Sequence, residues 1–254
     1  MSQGLHVLKF GGSVLRDDDA VATVARAIHA RVRAGQRLVA VVSATRGTTD
    51  RLLAEARDHG AAPDPHALAE LLATGERRSA SLLALALHRE GVACEVADAG
   101  RLRLRTQGPP LDADPVAFDA TVLRALLHTV PVVVVPGFTG TDAHGRTTLL
   151  GRGGSDLTAV FLAHGLGAGC LLVKDVSAVH APASAPGLQP HPYAALSWDD
   201  LLALDSTVVQ AKAVRFARDH AMTFRVGGLD GSDATVIGQG PSCLRAGGTA
   251  HGPN

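Results

Sequence analysis

The chain alternates short apolar runs with longer segments that carry apolar residues at helical spacing. Residues 6–10 form the first apolar run, 19–33 follow with helical spacing, and 38–42 are a continuous apolar run typical of a buried strand. Further strands are predicted at 92–97, 132–135, 171–174, 223–226 and, at an edge of the sheet, 234–237. Further helices are predicted at 49–59, 66–90 (one helix or two), 115–127, 155–164 and 198–220, the last either continuous or broken near residue 205. This alternation predicts an α/β fold, a three-layer αβα sandwich around an open, mainly parallel sheet.

Composition narrows the class of protein. The 254 residues carry 24 basic and 24 acidic side chains, so the net charge is zero, and aromatic residues make up only 3%. A neutral chain with few stacking side chains is not expected to bind nucleic acid or an anionic membrane surface. The N-terminus has no apolar stretch of the kind a signal peptide carries, and the three cysteines are scattered. A cytoplasmic protein without a disulfide framework is therefore expected.

Lysine is rare in this sequence. Lys9, Lys174 and Lys212 are the three lysines, and every other basic residue is an arginine. A lysine offers a compact positive charge on a flexible chain, which suits phosphate oxygens. The alternative for each of the three is an ordinary surface position.

A glycine turn follows the first predicted strand. Lys9 and Phe10 are followed by Gly11, Gly12 and Ser13. Two successive glycines leave backbone amides open to an anion, and the ammonium group of Lys9 would lie beside the same anion. The alternative is a simple turn, and the spacing matches neither a Walker A loop nor a GxGxxG loop.

A second glycine loop, residues 151–154, precedes the helix predicted at 155–164. The amino end of a helix presents free N–H groups and a partial positive charge, which together attract an anion. Arg152 inside this loop suggests bidentate binding of a carboxylate or a phosphate. Ser155 and Asp156 begin the helix, and the alternative for each is an ordinary N-cap residue.

A third motif, Thr74-Gly75-Glu76, is predicted at the start of a helix. Two interpretations of Glu76 stay open: a first-turn acid stabilised by the helix dipole, or a carboxylate that binds the ammonium group of a substrate. The twelve histidines show neither HxH nor HExxH spacing and form no cluster with the cysteines, so no metal site is predicted.

Together these segments resemble the amino-acid kinase family, and within it the catalytic domain of aspartate kinases. LKFGGSVL is similar to the family's opening KFGGTSV, LATGERRSASLLALALHREGV to its GE(R/L)xSA helix, and PGFTGTDAHGRTTLLGRGGSDLTA to its most specific signature. The resemblance implies a single domain over 1–254, with an acceptor-binding lobe at about 1–165, an ATP-binding lobe at about 166–240 and a flexible tail at 241–254. The usual regulatory ACT domains are not matched, so feedback through them is not expected.

The resemblance also implies an activity: transfer of the γ-phosphoryl group of ATP to a small carboxylate, with L-aspartate the expected acceptor and 4-phospho-L-aspartate the product. It places Lys9 and Asp156 at the phosphoryl group. The residues implied at the acceptor are Ser43, Thr49, Glu76, Arg152 and Ser155. Those implied at ATP and its phosphates are Lys9, Gly11, Gly12, Ser13, Lys174, Asp175, His180 and Lys212. Mg²⁺ is expected to arrive on the ATP phosphates, and a homo-oligomer is implied.

The sequence departs from the family pattern at one important position. Thr207 stands where aspartate kinases have a lysine that points at the transferring phosphate. Lys174 or Lys212 is the expected replacement, and Lys174 is preferred as the third catalytic residue. Residues 205–207 are more similar to the uridylate kinase branch, which keeps open another small acid, a phosphonate or a nucleotide monophosphate such as UMP as acceptor. A non-catalytic nucleotide- or anion-binding protein is the remaining alternative.

Overall fold

The computed structural model describes residues 4–60, 62–182, 191–204 and 208–245. The strands are β1 (Leu5–Phe10), β2 (Arg37–Val42), β3 (Cys94–Val96), β4 (Arg105–Gln107), β5 (Asp114–Ala117), β6 (Val132–Pro136), β7 (Thr139–Thr141), β8 (Thr147–Leu149), β9 (Gly169–Val173), β10 (Tyr193–Ser197), β11 (Phe224–Gly227), β12 (Thr235–Gly238) and β13 (Cys243–Leu244). The helices are α1 (Asp18–Arg33), α2 (Thr48–Asp58), α3 (Pro65–Arg89), α4 (Ala120–Thr129), α5 (Gly154–Leu166), α6 (Trp198–Ala203) and α7 (Ala211–Asp219). Across the described ranges, none of these helices has both the length and the apolar character needed to cross a membrane.

Nine strands form one sheet in the order β13-β10-β12-β11-β9-β1-β2-β6-β3. From β11 to β3 in this order, each strand runs parallel to its neighbours. The antiparallel pairs of this sheet, β11–β12 and β10–β13, lie toward the other edge. Helices cover both faces. The predicted three-layer α/β sandwich with a mainly parallel sheet is therefore confirmed.

The two faces of the sheet carry separate apolar cores because side chains alternate along each strand. Val7 of β1 points to one face, where it shares a core with Leu162 of α5. Phe10 points to the opposite face and shares a core with Ile28 of α1. By the same alternation, Lys9 points to the face that α5 covers.

A second sheet of four strands, in the order β5-β4-β7-β8, is absent from the sequence prediction. Its strands are three or four residues long, too short for an alternating pattern to be recognised. The helix predicted at 115–127 is wrong in its first part, because Asp114–Ala117 pair with β4. The helix α4 begins only at Ala120, after Asp119, whose carboxylate caps it.

The C-terminal part of the chain differs from the prediction in its strands and agrees with one of the two alternatives for its helix. The strand predicted at an edge is internal, since β12 lies between β10 and β11, and β10 itself is not predicted. For 198–220, the alternative of a broken helix agrees with the structure, which has α6 and α7 there. Thr207 and the rest of 205–207 lie outside the described residues. Within the predicted flexible tail, Cys243–Leu244 pair with β10 as β13, and 246–254 lie outside the described residues.

Candidate active site

Four neighbouring parallel strands of the large sheet have their carboxyl ends side by side. Phe10 of β1 pairs in register with Val173 of β9 and with Val42 of β2, and β6 continues the row. The residues that follow these strands therefore lie side by side: Gly11, Lys174, Ser43 and Gly137. Open parallel sheets bind their ligands at these ends.

Three charged side chains meet there. Nζ of Lys9 lies 2.7 Å from Oδ1 of Asp156, and Nζ of Lys174 lies 3.0 Å from Oδ2 of the same carboxylate. Asp156 reaches both ammonium groups from the first turn of α5, on the face to which Lys9 points. The structure thus brings together the three residues that the sequence analysis assigns to catalysis.

The cluster has one carboxylate for two ammonium groups. Burial by itself raises the pKa of Asp156, but the charges of Lys9 and Lys174 outweigh it and lower that pKa to about 2. Burial also lowers the pKa of Lys174, and the charge of Lys9 adds to this effect, whereas Asp156 opposes it. An ionised Asp156 therefore holds two cationic groups in place and leaves positive charge available to an anion.

The turn after β1 lies close to the ammonium group of Lys9. A Cβ on Gly11 would lie 3.1 Å from Nζ of Lys9, and one on Gly12 would lie 2.8 Å from the carbonyl oxygen of Ala44. The second distance is too short for any side chain, so Gly12 is required for this packing. The backbone amides of Gly12 and Ser13 donate no hydrogen bond within the part of the chain that the structure describes. Both are therefore available to an anion beside Lys9.

The second glycine loop leads directly into α5. Gly153 is the N-cap of this helix, with φ of 77°, so Ser155 and Asp156 lie in the first turn and not at the N-cap. A Cβ on Gly153 would lie 2.0 Å from Cγ of Gln210, so no other residue fits there. Arg152 is exposed and forms neither a hydrogen bond nor an ion pair with another described residue. Its guanidinium group can therefore bind an anionic ligand.

Glu76 lies in the middle of α3, so its predicted position at a helix start is wrong. Its Oε1 accepts a hydrogen bond from the amide of Ala44 at 3.0 Å, while its Oε2 is buried without a partner among the described residues. Gly75 permits this approach, since a Cβ there would lie 3.0 Å from that of Ala44. The first-turn interpretation is therefore wrong, and a buried oxygen free to accept a hydrogen bond suits an ammonium group.

Burial also changes the proton affinity of this carboxyl group. It raises the pKa of Glu76 to about 7, although the hydrogen bond from Ala44 and the charge of Lys9 act in the opposite direction. One turn further along α3, the hydroxyl of Ser79 is buried and likewise lacks a partner among the described residues. Unsatisfied buried polar atoms cost stability, and a raised carboxyl pKa is typical of functional sites.

A cavity of about 440 Å³ opens above these groups. Lys9 lines it together with all five residues that the sequence analysis places at the acceptor: Ser43, Thr49, Glu76, Arg152 and Ser155. Its lining also includes six apolar residues that are not predicted from the sequence, and together they are called the apolar wall: Leu53, Leu68, Leu72, Leu111, Phe138 and Leu149. In the sequence these six residues are indistinguishable from ordinary core positions. The volume is within the range of roughly 300–1,000 Å³ that small-molecule sites have.

Of the eight residues predicted at ATP and its phosphates, Lys9 lines this cavity and the other seven do not. Asp175 and His180 are exposed on the segment that follows β9. Lys212 is engaged elsewhere, since its Nζ lies 2.9 Å from Oδ1 of Asp112 and 3.0 Å from Oδ1 of Asp114. The structure therefore does not bring Lys212 to the cluster of Lys9 and Lys174.

Within the described ranges, no three His, Cys, Asp or Glu side chains are placed together to hold a metal ion. The carboxylate at the centre of the cluster, Asp156, already contacts two ammonium groups. A metal ion at this site would need oxygen ligands from a substrate, such as phosphate oxygens.

The chain matches a known family over most of its length. The family model described as "Amino acid kinase family" matches residues 4–228, and the chain belongs to this family. An aspartokinase from Pseudomonas aeruginosa is 35% identical to it over 226 residues, which are 87% of this chain and 55% of that protein. The chain thus spans about half the length of the curated relatives it matches.

Solved structures show the same likeness. An aspartate kinase from Synechocystis superposes with a TM-score of 0.80 at 30% identity, covering 94% of this chain and 40% of that one. A UMP kinase from Bacillus anthracis shares the fold, with a TM-score of 0.68 at 17% identity, covering 95% of this chain and 98% of the other.

Proposed function

We propose that the protein transfers the γ-phosphoryl group of ATP to the side-chain carboxylate of L-aspartate, forming ADP and 4-phospho-L-aspartate. The proposal depends on one observation: the cavity combines a buried oxygen of Glu76 without a partner among the described residues, the exposed guanidinium group of Arg152 and the ammonium group of Lys9. Lys9 shares the carboxylate of Asp156 with Lys174. Glu76 would bind the α-ammonium group and Arg152 the α-carboxylate. Lys9 and Lys174 would bind the phosphoryl group.

Two independent observations favour aspartate as the acceptor. An amino acid presents one ammonium group and one carboxylate besides the group that reacts, and the cavity offers a partner of opposite charge for each. The similar proteins named aspartokinase and aspartate kinase support the same acceptor. Ser43, Thr49 and Ser155 add hydroxyl groups that can orient the reacting carboxylate.

The chemistry requires positive charge and positioning more than a base, because a carboxylate is already ionised at neutral pH. An oxygen of the acceptor carboxylate attacks the γ-phosphorus, and ADP leaves with the electrons of the broken P–O bond. Lys9 and Lys174 would stabilise the charge on the phosphoryl oxygens, aided by the amino end of α5. Asp156 would keep the two ammonium groups in position.

ATP would lie at the carboxyl ends of the same parallel strands, beside residues from the C-terminal part of the chain. We assign the acceptor to a lobe of about residues 1–165 and ATP to about 166–240, because Lys174, Asp175 and His180 follow β9. Lys174 would take the place of the lysine that the family pattern has at position 207. Mg²⁺ carried on the ATP phosphates would offset their negative charge.

The direct test is ADP release by the purified protein with ATP, Mg²⁺ and a panel of acceptors. Hydroxylamine converts an acyl phosphate to a hydroxamate and so identifies the product. We expect turnover with L-aspartate and about 10²-fold lower kcat/KM with succinate, which leaves Glu76 without its ammonium partner. Glu76→Ala should remove the preference for L-aspartate over succinate. Equal ADP release with and without L-aspartate would exclude this acceptor.

The same panel separates the alternatives. A preference for UMP, a phosphonate or another small acid would change the acceptor and keep the class of reaction. ATP binding without transfer to any acceptor would indicate a nucleotide- or anion-binding protein. We favour a kinase because the buried Lys9 and the half-buried Lys174 around one carboxylate are costly to maintain unless an anionic group completes the site.

Two predictions from the sequence belong to this proposal: a homo-oligomeric state and a cytoplasmic location. The first rests on the resemblance to the family and the second on composition. Light scattering after size exclusion tests the first, and localisation of the tagged protein in cells tests the second.

A further inference from the structure

Lys212, the second residue of α7, has its ammonium group surrounded by oxygen atoms. Its Nζ lies 2.9 Å from Oδ1 of Asp112 and 3.0 Å from Oδ1 of Asp114. It also lies 2.9 Å from the carbonyl oxygen of Ala113 and 3.2 Å from that of Leu150. An ammonium group has three N–H donors, so these acceptors use its full capacity. Because two of the acceptors are carbonyl groups, the contact fixes the main chain as well as side chains.

The two backbone segments that Lys212 joins each adjoin residues that line the acceptor cavity. Leu111 lines the cavity just before the first segment, and Gly151–Gly154 line it just after Leu150. The segments also contact each other directly, since the amide of Ala113 donates to the carbonyl oxygen of Leu149 at 2.8 Å. Lys212 connects this pair of segments to α7, which packs against α5.

The loop that carries Arg152 is enclosed by the same groups. A Cβ on Gly151 would lie 1.9 Å from Oδ1 of Asp112, and one on Gly153 would lie 2.0 Å from Cγ of Gln210, the residue before α7. The guanidinium group of Arg152 has no partner among the described residues, so the path of its backbone sets its direction. Any shift of the enclosing groups would therefore move Arg152.

We propose that Lys212 is a positioning residue for the acceptor site. By tying α7 to Ala113 and Leu150, it holds the Gly151–Gly154 loop where Arg152 binds the carboxylate of the acceptor. The inference rests on the proposed function, and it replaces the phosphate contact that the sequence analysis expects for Lys212. A helix in the ATP-binding half of the chain thereby sets the geometry of the acceptor half.

Steady-state kinetics of Lys212→Met with each substrate in turn test this role. The KM for L-aspartate should rise roughly fivefold to tenfold, while kcat and the KM for ATP change less than about twofold. Lys212→Arg should recover part of the affinity, because a guanidinium group keeps the charge and the donors. The double variant Asp112→Asn, Asp114→Asn changes two exposed carboxylates and should raise the same KM without threatening the fold.

Arg218→Met is the matched control, since Arg218 lies on the same helix but pairs with Asp199 and Asp219 at the surface. It should leave both KM values unchanged. A higher KM for ATP or a lower kcat in Lys212→Met, with the KM for aspartate unchanged, would overturn the inference in favour of a phosphate contact. Lower thermal stability with both KM values unchanged would overturn it in favour of a purely structural role.

The wild-type protein separates this inference from the function on which it rests. If the wild type does not phosphorylate aspartate, the proposed function fails and the inference fails with it. If the wild type phosphorylates aspartate, the kinetics of the variants test the role of Lys212 alone.

Discussion

Asp156 faces two ammonium groups in a part of the protein that water barely reaches, since it is 2% exposed and Lys9 is 6% exposed. Buried charges depend on their partners, and the loss of one partner leaves the others uncompensated. Removal of Lys174 would leave one pair of opposite charges. Removal of the charge on Asp156 would instead leave two like charges side by side.

Lys174→Met and Asp156→Asn should therefore have different effects. We expect Lys174→Met to lower kcat about 10²- to 10³-fold, because one group that stabilises transferring charge is lost, with little change in the KM for aspartate. Asp156→Asn should lower the free energy of unfolding by about 3–5 kcal/mol, more than Lys174→Met does, because Lys9 and Lys174 then repel each other. Denaturant unfolding and steady-state kinetics measure both effects, with Lys174→Arg as the variant that keeps the charge. Equal losses of stability in the two variants would argue against a buried Asp156 that separates the charges of Lys9 and Lys174.

Glu76 should make acceptor binding depend on pH. Since burial raises the pKa of Glu76 to about 7, the empty site holds a protonated carboxyl group below that pH, and this form cannot pair with an ammonium group. The value of kcat/KM for L-aspartate should therefore rise about tenfold per pH unit below this pKa and level off above it. Glu76→Gln should show a low value without this rise. A flat profile for the wild type across the same range would contradict the assignment.

The same carboxyl group should affect stability. The folded protein keeps the proton of Glu76 up to about pH 7, whereas the unfolded chain releases it near 4.5. Because the native state binds more protons between these values, the stability of the wild type relative to Glu76→Gln should fall as pH rises through this window, by up to about 3 kcal/mol. Denaturant unfolding of both proteins on either side of the window measures this difference. A difference that is constant with pH would mean that Glu76 is not desolvated as described.

Among the elements, α5 and the loop before it depend on close packing around glycines. The N-cap of α5 has no side-chain hydrogen bond. Steric contacts with neighbouring residues, and not a capping side chain, therefore determine the conformation of the loop. A Cβ on Gly137, at the end of β6, would lie 2.8 Å from that of Ser155, and one on Gly154 would lie 2.8 Å from Cδ2 of Phe138. The end of β6 and the start of α5 thus touch through glycines, which places Ser155 at the cavity.

Gly153→Ala and Gly145→Ala form a matched pair that tests this packing. The two glycines have φ of 77° and 78°, but a Cβ on Gly145 would have no atom within 4 Å, whereas one on Gly153 would collide with Gln210. Backbone strain alone should cost each variant about 1–2 kcal/mol. Gly153→Ala should lose more stability than this and should also raise the KM for aspartate, while Gly145→Ala keeps wild-type kinetics. Identical behaviour of the two variants in unfolding and kinetics would show that the loop is not held as described.

The longer elements could be predicted because their patterns are local. Continuous apolar runs predict β1, β2, β6 and β9, and helical spacing predicts α1, α3 and α5. The four strands of the small sheet could not be predicted, since three or four residues are too few to show a period. The position of β12 inside the sheet depends on its pairing with β10 and β11, which local sequence does not reveal.

Much of the candidate site could be predicted for a different reason. Lys9 and Lys174 are conspicuous because lysine is rare, and Glu76 and Arg152 because each adjoins glycine. The partners of Lys212 could not be found in this way, since Asp112 lies 100 positions away along the chain. The apolar wall of the cavity was missed because leucines of a binding site and of a core look alike in a sequence.

Across the whole molecule, the site is formed by strands from distant parts of the chain. β1, from the start of the sequence, lies between β2 and β9 in the sheet. Lys9 and Lys174 therefore lie at the carboxyl ends of neighbouring strands, although they are far apart in the sequence. Helices from opposite faces then complete the site, with Asp156 from α5 and Glu76 from α3. In the large sheet, the pairing of β1 with β9 joins the acceptor half and the ATP half of the proposed kinase, and the packing of α7 against α5 joins them a second time.

A crystal structure of the protein with ADP, Mg²⁺, aluminium fluoride and L-aspartate tests the central claim most directly, because aluminium fluoride stands in for the phosphoryl group in transfer. We predict fluorides within about 3 Å of Nζ of both Lys9 and Lys174, at the amino end of α5. The ammonium group of aspartate should contact Oε2 of Glu76, and its α-carboxylate should contact Arg152. Aluminium fluoride bound away from both lysines, or aspartate bound outside the cavity, would contradict the account.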